Sequence, residues 1–322
     1  SSIMMQPLTA IPTRADIEAT YEAIQPLIHR TPVLTCSAID ERAGASLFFK
    51  CENFQKVGAF KMRGASNAAV RLSEADRRKG LATHSSGNHA QAVALSAKML
   101  GVPAYIVMPE NAPAAKRAAT EGYGALITSC ENTLAAREST LQKVVEKTGA
   151  TFIHPYNDYN VIAGQATCAK ELLEDVEKLD VLTAPVGGGG LMSGTSLSAR
   201  YFAPDVKVYG AEPETVDDAY RSLQSGQLQS NTTINTIADG LRTNLGEKTF
   251  DILQRELDDL FLVSEVEILQ AMRLIWERMK IIIEPSCAVP LAAILKHPDV
   301  FAGKRVGVIL TGGNVDLDRL PF

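Results

Sequence analysis

Five short stretches of the chain combine residue types that packing alone explains poorly. In Gly58-Ala59-Phe60-Lys61-Met62-Arg63-Gly64 a lysine stands between apolar side chains, in a segment that reads as turn-like. Lysine is ordinarily a solvated surface residue. Flanked in this way, Lys61 is open to desolvation, which lowers the pKa of its ammonium group and frees the amine to attack a carbonyl. Ser85-Ser86-Gly87-Asn88-His89 follows the run LATH and opens the helix-like AQAVALSAKML. It is either a capped helix start with glycine for the turn, or an N-terminus that offers N–H donors to an anion such as a substrate carboxylate.

Pro185 and Val186 precede Gly187, Gly188, Gly189 and Gly190, and Leu191-Met192-Ser193-Gly194 opens a helix. Four glycines together cost backbone entropy, so a nest of N–H groups closing on a phosphate is a better reason for them than a flexible turn. The dinucleotide pattern GxGxxG fails because Ser193 stands where its third glycine belongs, although Glu212 lies about where a ribose-binding acid would sit. Leu310-Thr311-Gly312-Gly313-Asn314 ends a buried-looking strand, either as a plain turn or with the Thr311 hydroxyl in a crevice. Glu212-Pro213-Glu214-Thr215-Val216-Asp217-Asp218 is either a solvated acidic loop or a set of oxygens for a hard divalent cation.

The elements that must position these residues alternate. Strands are expected at 46–52, 104–109, 125–129, 151–155, 181–186, 207–212 and 305–311. Helices are expected at 16–29, with Asp16 as N-cap, and at 89–100, 131–148, 161–178, 191–202 and 265–280. This is the α/β pattern of parallel sheets flanked by helices. Continuously apolar strands such as AYIVM and VGVIL suit sheets covered on both faces, with glycine loops opening into a crevice at their carboxyl ends. No repeat or long linker separates the domains.

Composition narrows the partners. The chain has 322 residues, 46% hydrophobic and 21% charged, with a net charge of -5, so a polyanion or an anionic membrane surface is not an expected partner. Small molecules are. No stretch approaches the roughly 18 apolar residues of a spanning helix, and the first residues lack a secretory pattern. Five scattered cysteines without a CxxC or Cys/His cluster are expected to be reduced, and the compartment to be the cytoplasm.

In combination these stretches resemble the fold-type II pyridoxal-phosphate enzymes. ENFQKVGAFKMRGASNA, SSGNHAQAVALSA, HPYNDYNVIAGQAT, PVGGGGLMSG, TIADGLR, WERMKIIIEPS and TGGNVDL together look like the branch of serine racemases and serine/threonine dehydratases. The resemblance runs from about residue 15 to the C-terminus. It implies a two-domain fold like that of the tryptophan synthase β chain, with a large cofactor domain from 1–79 and 159–322 and a small mobile domain from 80–158.

By the same resemblance Lys61 would carry pyridoxal 5'-phosphate (PLP) as a Schiff base and move the substrate Cα proton, with Phe60 beside it. Gly187, Gly188, Gly189, Gly190 and Leu191 would hold the phosphate, Asn88 the ring 3-hydroxyl, and Thr311 would face the ring nitrogen. Ser85, Ser86, Gly87, Asn88 and His89 would hold the substrate carboxylate. A neutral hydroxyl at the ring nitrogen makes a weaker electron sink than a carboxylate would, which favours prompt elimination. Ser86 would face Lys61 across the cofactor, the two-sided arrangement that racemisation needs. Glu212, the Val216 carbonyl and Asp218 would bind Mg²⁺, Ca²⁺ or Mn²⁺. Arg137 would meet a second substrate carboxylate, and Arg278 and Lys280 are candidates for a nucleotide effector. The implied activity is dehydration of L-serine and L-threonine to 2-oxo acid and ammonia, with serine racemisation and 3-hydroxyaspartate dehydration as alternatives. Tyr156 in HPYND, where serine racemases often carry Asn, turns the wording toward the dehydratases. The implied assembly is a homodimer.

Overall fold

The computed structural model describes residues 5–322. Its strands, in chain order, are β1 (Val33–Leu34), β2 (Ser46–Cys51), β3 (Leu81–His84), β4 (Ala104–Pro109), β5 (Leu126–Cys130), β6 (Thr151–Phe152), β7 (Val181–Pro185), β8 (Lys207–Pro213), β9 (Asp259–Val263) and β10 (Arg305–Leu310). One sheet has the order β1-β2-β10-β7-β8-β9 and the other β5-β4-β3-β6. Among the described residues only the short β1 runs antiparallel to its neighbour; every other strand pairing is parallel. The strands of the four-stranded sheet all fall between residues 81 and 152, and the chain then returns to complete the larger sheet.

Parallel pairing decides where chemistry can occur. The central strands β7 and β10 are buried almost along their whole length, as helices on both faces require. Thr183, the one hydroxyl inside β7, donates to the Gly307 carbonyl at 3.0 Å, so the core keeps no free polar group there. Because β2, β7 and β10 share a direction, the loops after Cys51, Pro185 and Leu310 emerge at one edge of the sheet. These loops carry Lys61, the four glycines and Thr311.

The α/β class read from the sequence holds, with differences in detail. The segment around Lys61 is not a turn: Lys61 is the first residue of a helix, Lys61–Val70, whose residues from Met62 to Ala69 are all buried. Burial of its whole circumference erased the amphipathic pattern that identifies surface helices. Asp16 is not the N-cap of the first helix. Thr13 holds that place, with its hydroxyl accepting from the Asp16 amide and the Asp16 carboxylate accepting from the Thr13 amide. The expected strand at 151–155 stops at Phe152, where the His154 imidazole starts a turn by accepting from the amides of Tyr156 and Asn157. Strands β1, β3 and β9 are additional; two are short, and β9 begins within an acidic run. No helix of the described residues is long and apolar enough to cross a membrane.

Candidate active site

Lys61 is held from two sides. The bridge between Ala59 and Gly312, and the Phe60 amide donating to the Thr311 carbonyl at 3.0 Å, tie the start of its helix to the end of β10. Its ammonium donates to the Pro155 carbonyl at 3.1 Å and lies 5.2 Å from the centre of the Phe60 ring. Desolvation lowers its pKa to about 8, against an opposing pull from the Glu284 carboxylate. A useful fraction of neutral amine therefore exists near neutral pH.

The glycine loop is shaped by its neighbours. Gly189 adopts φ +94° and is the N-cap of the helix Gly190–Phe202. A Cβ at Gly188 would overlap the Tyr156 ring, and one at Gly189 would lie 2.8 Å from a Leu245 methyl. The Thr249 hydroxyl donates to the Gly188 carbonyl at 2.7 Å, fixing the loop from below. The helix has no side-chain cap, so its first N–H groups are free for an anion.

A second uncapped N-terminus belongs to the helix Asn88–Leu100, whose N-cap is Gly87. A Cβ at Gly87 would meet nothing within 4 Å, so the backbone faces open space. Helices that begin on Thr13, Ser73, Thr133, Asp158 or Ser264 spend their first N–H groups on the side-chain cap, whereas the starts at Gly87 and Gly189 leave theirs available. Ser85 uses its hydroxyl to accept from the Gly87 amide at 3.2 Å, holding the loop, and Ser86 is half-buried in it.

The Asn88 side chain meets Glu284, donating to its two oxygens at 3.1 and 3.3 Å, and accepts from the Asn314 amide group at 2.7 Å. Burial pushes Glu284 up to about 7. Thr311 is buried, with its hydroxyl 3.3 Å from the Cys287 sulfur. His89 sits against the Ile153 carbonyl at 2.8 Å, an acceptor-only partner that makes its Nε2 the donor. Burial and the Lys61 charge drive His89 to about 3 and His154 to about 4, so both imidazoles are neutral at pH 7.

Glu212 and Asp218 lie behind the glycine loop. The Leu245 amide donates to Asp218 at 2.8 Å, and Leu245 is the residue against Gly189. Glu212 is fully buried; one oxygen accepts from the Tyr220 amide at 2.7 Å, and the other has no hydrogen-bond partner among the described residues. Burial, reinforced by the Asp218 charge, raises the Glu212 pKa well above the usual carboxylate range. Val216 is buried in the turn between the two acids.

The structure thus gathers Lys61, Phe60, Asn88, the glycine loop and Thr311 around Pro155, Tyr156 and Glu284. Arg137 is half-buried near His84, whose pKa its charge helps lower, and among the described residues no hydrogen bond or ion pair joins it to the group around Lys61. Arg278 and Lys280 are exposed at the end of the helix Glu265–Met279. Glu284 and Thr249 were not singled out from the sequence, and Asn314 stood in the stretch from Leu310 to Asn314 without a role of its own. An acid ending the apolar run Ile281-Ile282-Ile283 was a usable signal for Glu284, whereas nothing local to Thr249 marks it.

Residues 24–312 match the pyridoxal-phosphate dependent enzyme family. The chain is 52% identical over 312 residues to a beta-hydroxyaspartate dehydratase of Paracoccus denitrificans, covering 97% of this chain and 99% of that one. It is 48% identical over 310 residues to an L-threo-3-hydroxyaspartate ammonia-lyase of Saccharomyces cerevisiae, covering 96% of this chain and 95% of that one. The crystal structure of serine racemase from Dictyostelium discoideum superposes with a TM-score of 0.91 at 52% identity, covering 95% of this chain and 99% of that one.

Proposed function

Because the chain belongs to the pyridoxal-phosphate dependent enzyme family, we propose that it is an ammonia-lyase that eliminates water from small β-hydroxy amino acids, leaving a 2-oxo acid and ammonia. The observation that carries this reading is the lowered amine of Lys61 in a crevice with two glycine-started, uncapped helix N-termini. One suits a phosphate and the other a carboxylate.

Bound PLP supplies an aldehyde for an amine to attack and an electron-withdrawing ring beside the substrate Cα. In this reading the residues divide the work. Lys61 would be the amine that meets the aldehyde and, once the substrate amine has replaced it, the base for the Cα proton; in net that proton would leave with the β-hydroxyl as water, and one water would return as the product splits to 2-oxo acid and ammonia. The N–H groups of Gly187 to Leu191 would hold the phosphate, the Asn88 amide would meet the ring 3-oxygen, and the Thr311 hydroxyl would meet the ring nitrogen. The loop from Ser85 to His89 holds the substrate carboxylate. Neutral His89 and His154 add no positive charge beside Lys61, which keeps its amine from being pulled further down.

For the substrate, 3-hydroxyaspartate is the β-hydroxy acid we favour over serine and threonine, with Arg137, whose charge is felt at His84 next to the Ser85 loop, as the cation assigned to a second carboxylate. Two relatives named for hydroxyaspartate support the same choice. The test is 2-oxo acid release by holoenzyme from each 3-hydroxyaspartate isomer, L-serine, D-serine and L-threonine, with residual serine chirality read in the same tubes. A hydroxyaspartate isomer is expected to exceed serine by at least tenfold in kcat/KM, and Arg137→Leu to remove most of that preference. Serine inverted faster than oxo acid forms would instead assign the two-sided proton chemistry of a racemase to Lys61 and Ser86.

The acidic pair fits a divalent cation. A fully buried carboxylate oxygen without a partner beside a second buried carboxylate is an arrangement that a cation resolves. Glu212, Asp218 and the Val216 carbonyl would hold it, with Mg²⁺, Ca²⁺ or Mn²⁺ as hard-oxygen choices. Chelation of the holoenzyme is expected to lower its unfolding temperature by several degrees, Mg²⁺ to restore it, and Asp218→Asn to abolish the response. An unfolding temperature indifferent to chelator and Mg²⁺ would remove the cation from this reading.

A further inference from the structure

Asparagine binds differently through its two ends, one a donor and one an acceptor, so a site that needs one of them must also prevent the amide from turning over. In this crevice the direction is set from outside Asn88. The Asn314 side-chain nitrogen donates to the Val57 carbonyl at 2.8 Å and to the Asn88 oxygen at 2.7 Å. A carbonyl only accepts, so Asn314 must present its nitrogen to Asn88. At the other end stands Glu284, a buried side chain whose oxygens accept from the Asn88 nitrogen at 3.1 and 3.3 Å and from the Asn314 backbone amide at 3.2 Å. The Glu284 amide in turn donates to the Gly312 carbonyl at 3.0 Å, which fixes its backbone beside the Thr311 loop. The chain of donors is therefore anchored on an acceptor at each end. One N–H of the Asn88 amide shared between the two Glu284 oxygens would leave the second for a ligand oxygen.

We propose that Glu284 is a positioning residue that holds the Asn88 amide with its nitrogen toward the crevice, so that a bound cofactor's 3-oxygen always meets a donor. This rests on the reading of the crevice as a PLP site. Without Glu284 the Asn88 nitrogen loses its partner and only the Asn314 contact holds the amide's direction, so the amide turns more readily and then presents an acceptor to an oxygen that is itself an acceptor when ionised. Gln at 284 keeps one accepting oxygen, which can serve both the Asn314 amide and the Asn88 nitrogen as one Glu284 oxygen does, and replaces the other by a donor facing the Asn88 nitrogen, so it preserves part of the effect.

The test is a double-mutant cycle on the holoenzyme. PLP dissociation constants are measured by dilution, followed through visible absorption, for the wild type, Glu284→Ala, Glu284→Gln, Asn88→Ala and the double variant Glu284→Ala with Asn88→Ala. Glu284→Ala is expected to weaken PLP at least tenfold in the wild-type background and less than twofold in the Asn88→Ala background. Its visible spectrum is expected to match that of Asn88→Ala, and Glu284→Gln to fall between. A merely structural role would weaken PLP equally in both backgrounds, and that additivity, or unchanged PLP binding in Glu284→Ala, would overturn the proposal. If Glu284→Ala does not fold, the same cycle is read with Glu284→Gln. Failure of the wild type to bind PLP would sink the PLP reading itself, which is a different outcome from an additive cycle.

Discussion

Replacement of Lys61 by alanine is expected to lower kcat for oxo-acid release by about 10³-fold or more, because in the proposed function one side chain serves as both the carbonyl nucleophile and the base. The folded state should survive, since Lys61 is the first residue of its helix and gives up only one hydrogen bond, to the Pro155 carbonyl. A pH dependence separates this from loss of a generic surface lysine. Neutral amine is the attacking form, and a pKa of about 8 means that protonation suppresses attack below that value. The rate at which the cofactor-stripped protein takes up PLP should rise about tenfold per pH unit up to about 8 and then level. An unshifted lysine would keep gaining to about 10.4. Stopped-flow absorbance across pH 6 to 10.5 reads the break directly, and a rate still climbing at pH 10 would contradict the desolvated amine.

Arg63→Met is expected to be the most damaging substitution for stability, lowering the unfolding free energy by about 3–5 kcal/mol. Lys50, Glu52, Arg63 and Glu171 are all fully buried, two cations and two carboxylates in one cluster. Arg63 joins both acids: its Nη2 donates to Glu52 at 3.0 Å and to Glu171 at 2.8 Å, and its Nη1 to Thr167 at 3.1 Å. Lys50 donates to Glu171 and to the Thr31 carbonyl, each at 2.7 Å, and the Thr31 hydroxyl donates to Glu52 at 2.6 Å. Removing Arg63 leaves two buried carboxylates with only Lys50 to balance them. Lys50→Met should cost less, because Glu171 keeps its guanidinium partner. Arg63→Lys should rescue little, since an ammonium cannot reproduce the planar fork that engages both acids. Urea unfolding of the three variants ranks them, and a loss under about 1 kcal/mol for Arg63→Met would mean that the cluster relaxes or neutralises itself. The cluster also bears on the site, for Arg63 lies two residues along the helix that begins with Lys61.

How much was legible in the sequence follows from where each signal is local. The parallel α/β class was legible because fully buried strands such as β10 write themselves as unbroken apolar runs. The place of the glycine loop between a strand and a helix was legible because four adjacent glycines carry an entropic cost, and the structure packs Tyr156 and Leu245 where side chains at Gly188 and Gly189 would stand. The helix Lys61–Val70 was not, since its buried alanines, serine and asparagine carry no amphipathic stripe. Arg63 read as an ordinary charge because its partners Glu52 and Glu171 lie 11 and 108 residues away. Glu284 carried a local signal as the acid that ends an apolar run, but its partner did not show, because it meets Asn88 across 196 residues, a pairing only the fold creates. Arg137 shows the opposite limit, for its place on a helix was legible while its reach toward a substrate depends on contacts that sequence does not specify.

The most direct measurement is to load the protein with PLP, reduce it with borohydride, digest it, and map the modified peptide by mass spectrometry. The pyridoxyl group is expected on Lys61 alone, within the peptide that carries Phe60 and Met62. Label on another lysine, or none in a protein that is folded and exposed to saturating PLP, would contradict the assignment of this crevice as the catalytic site.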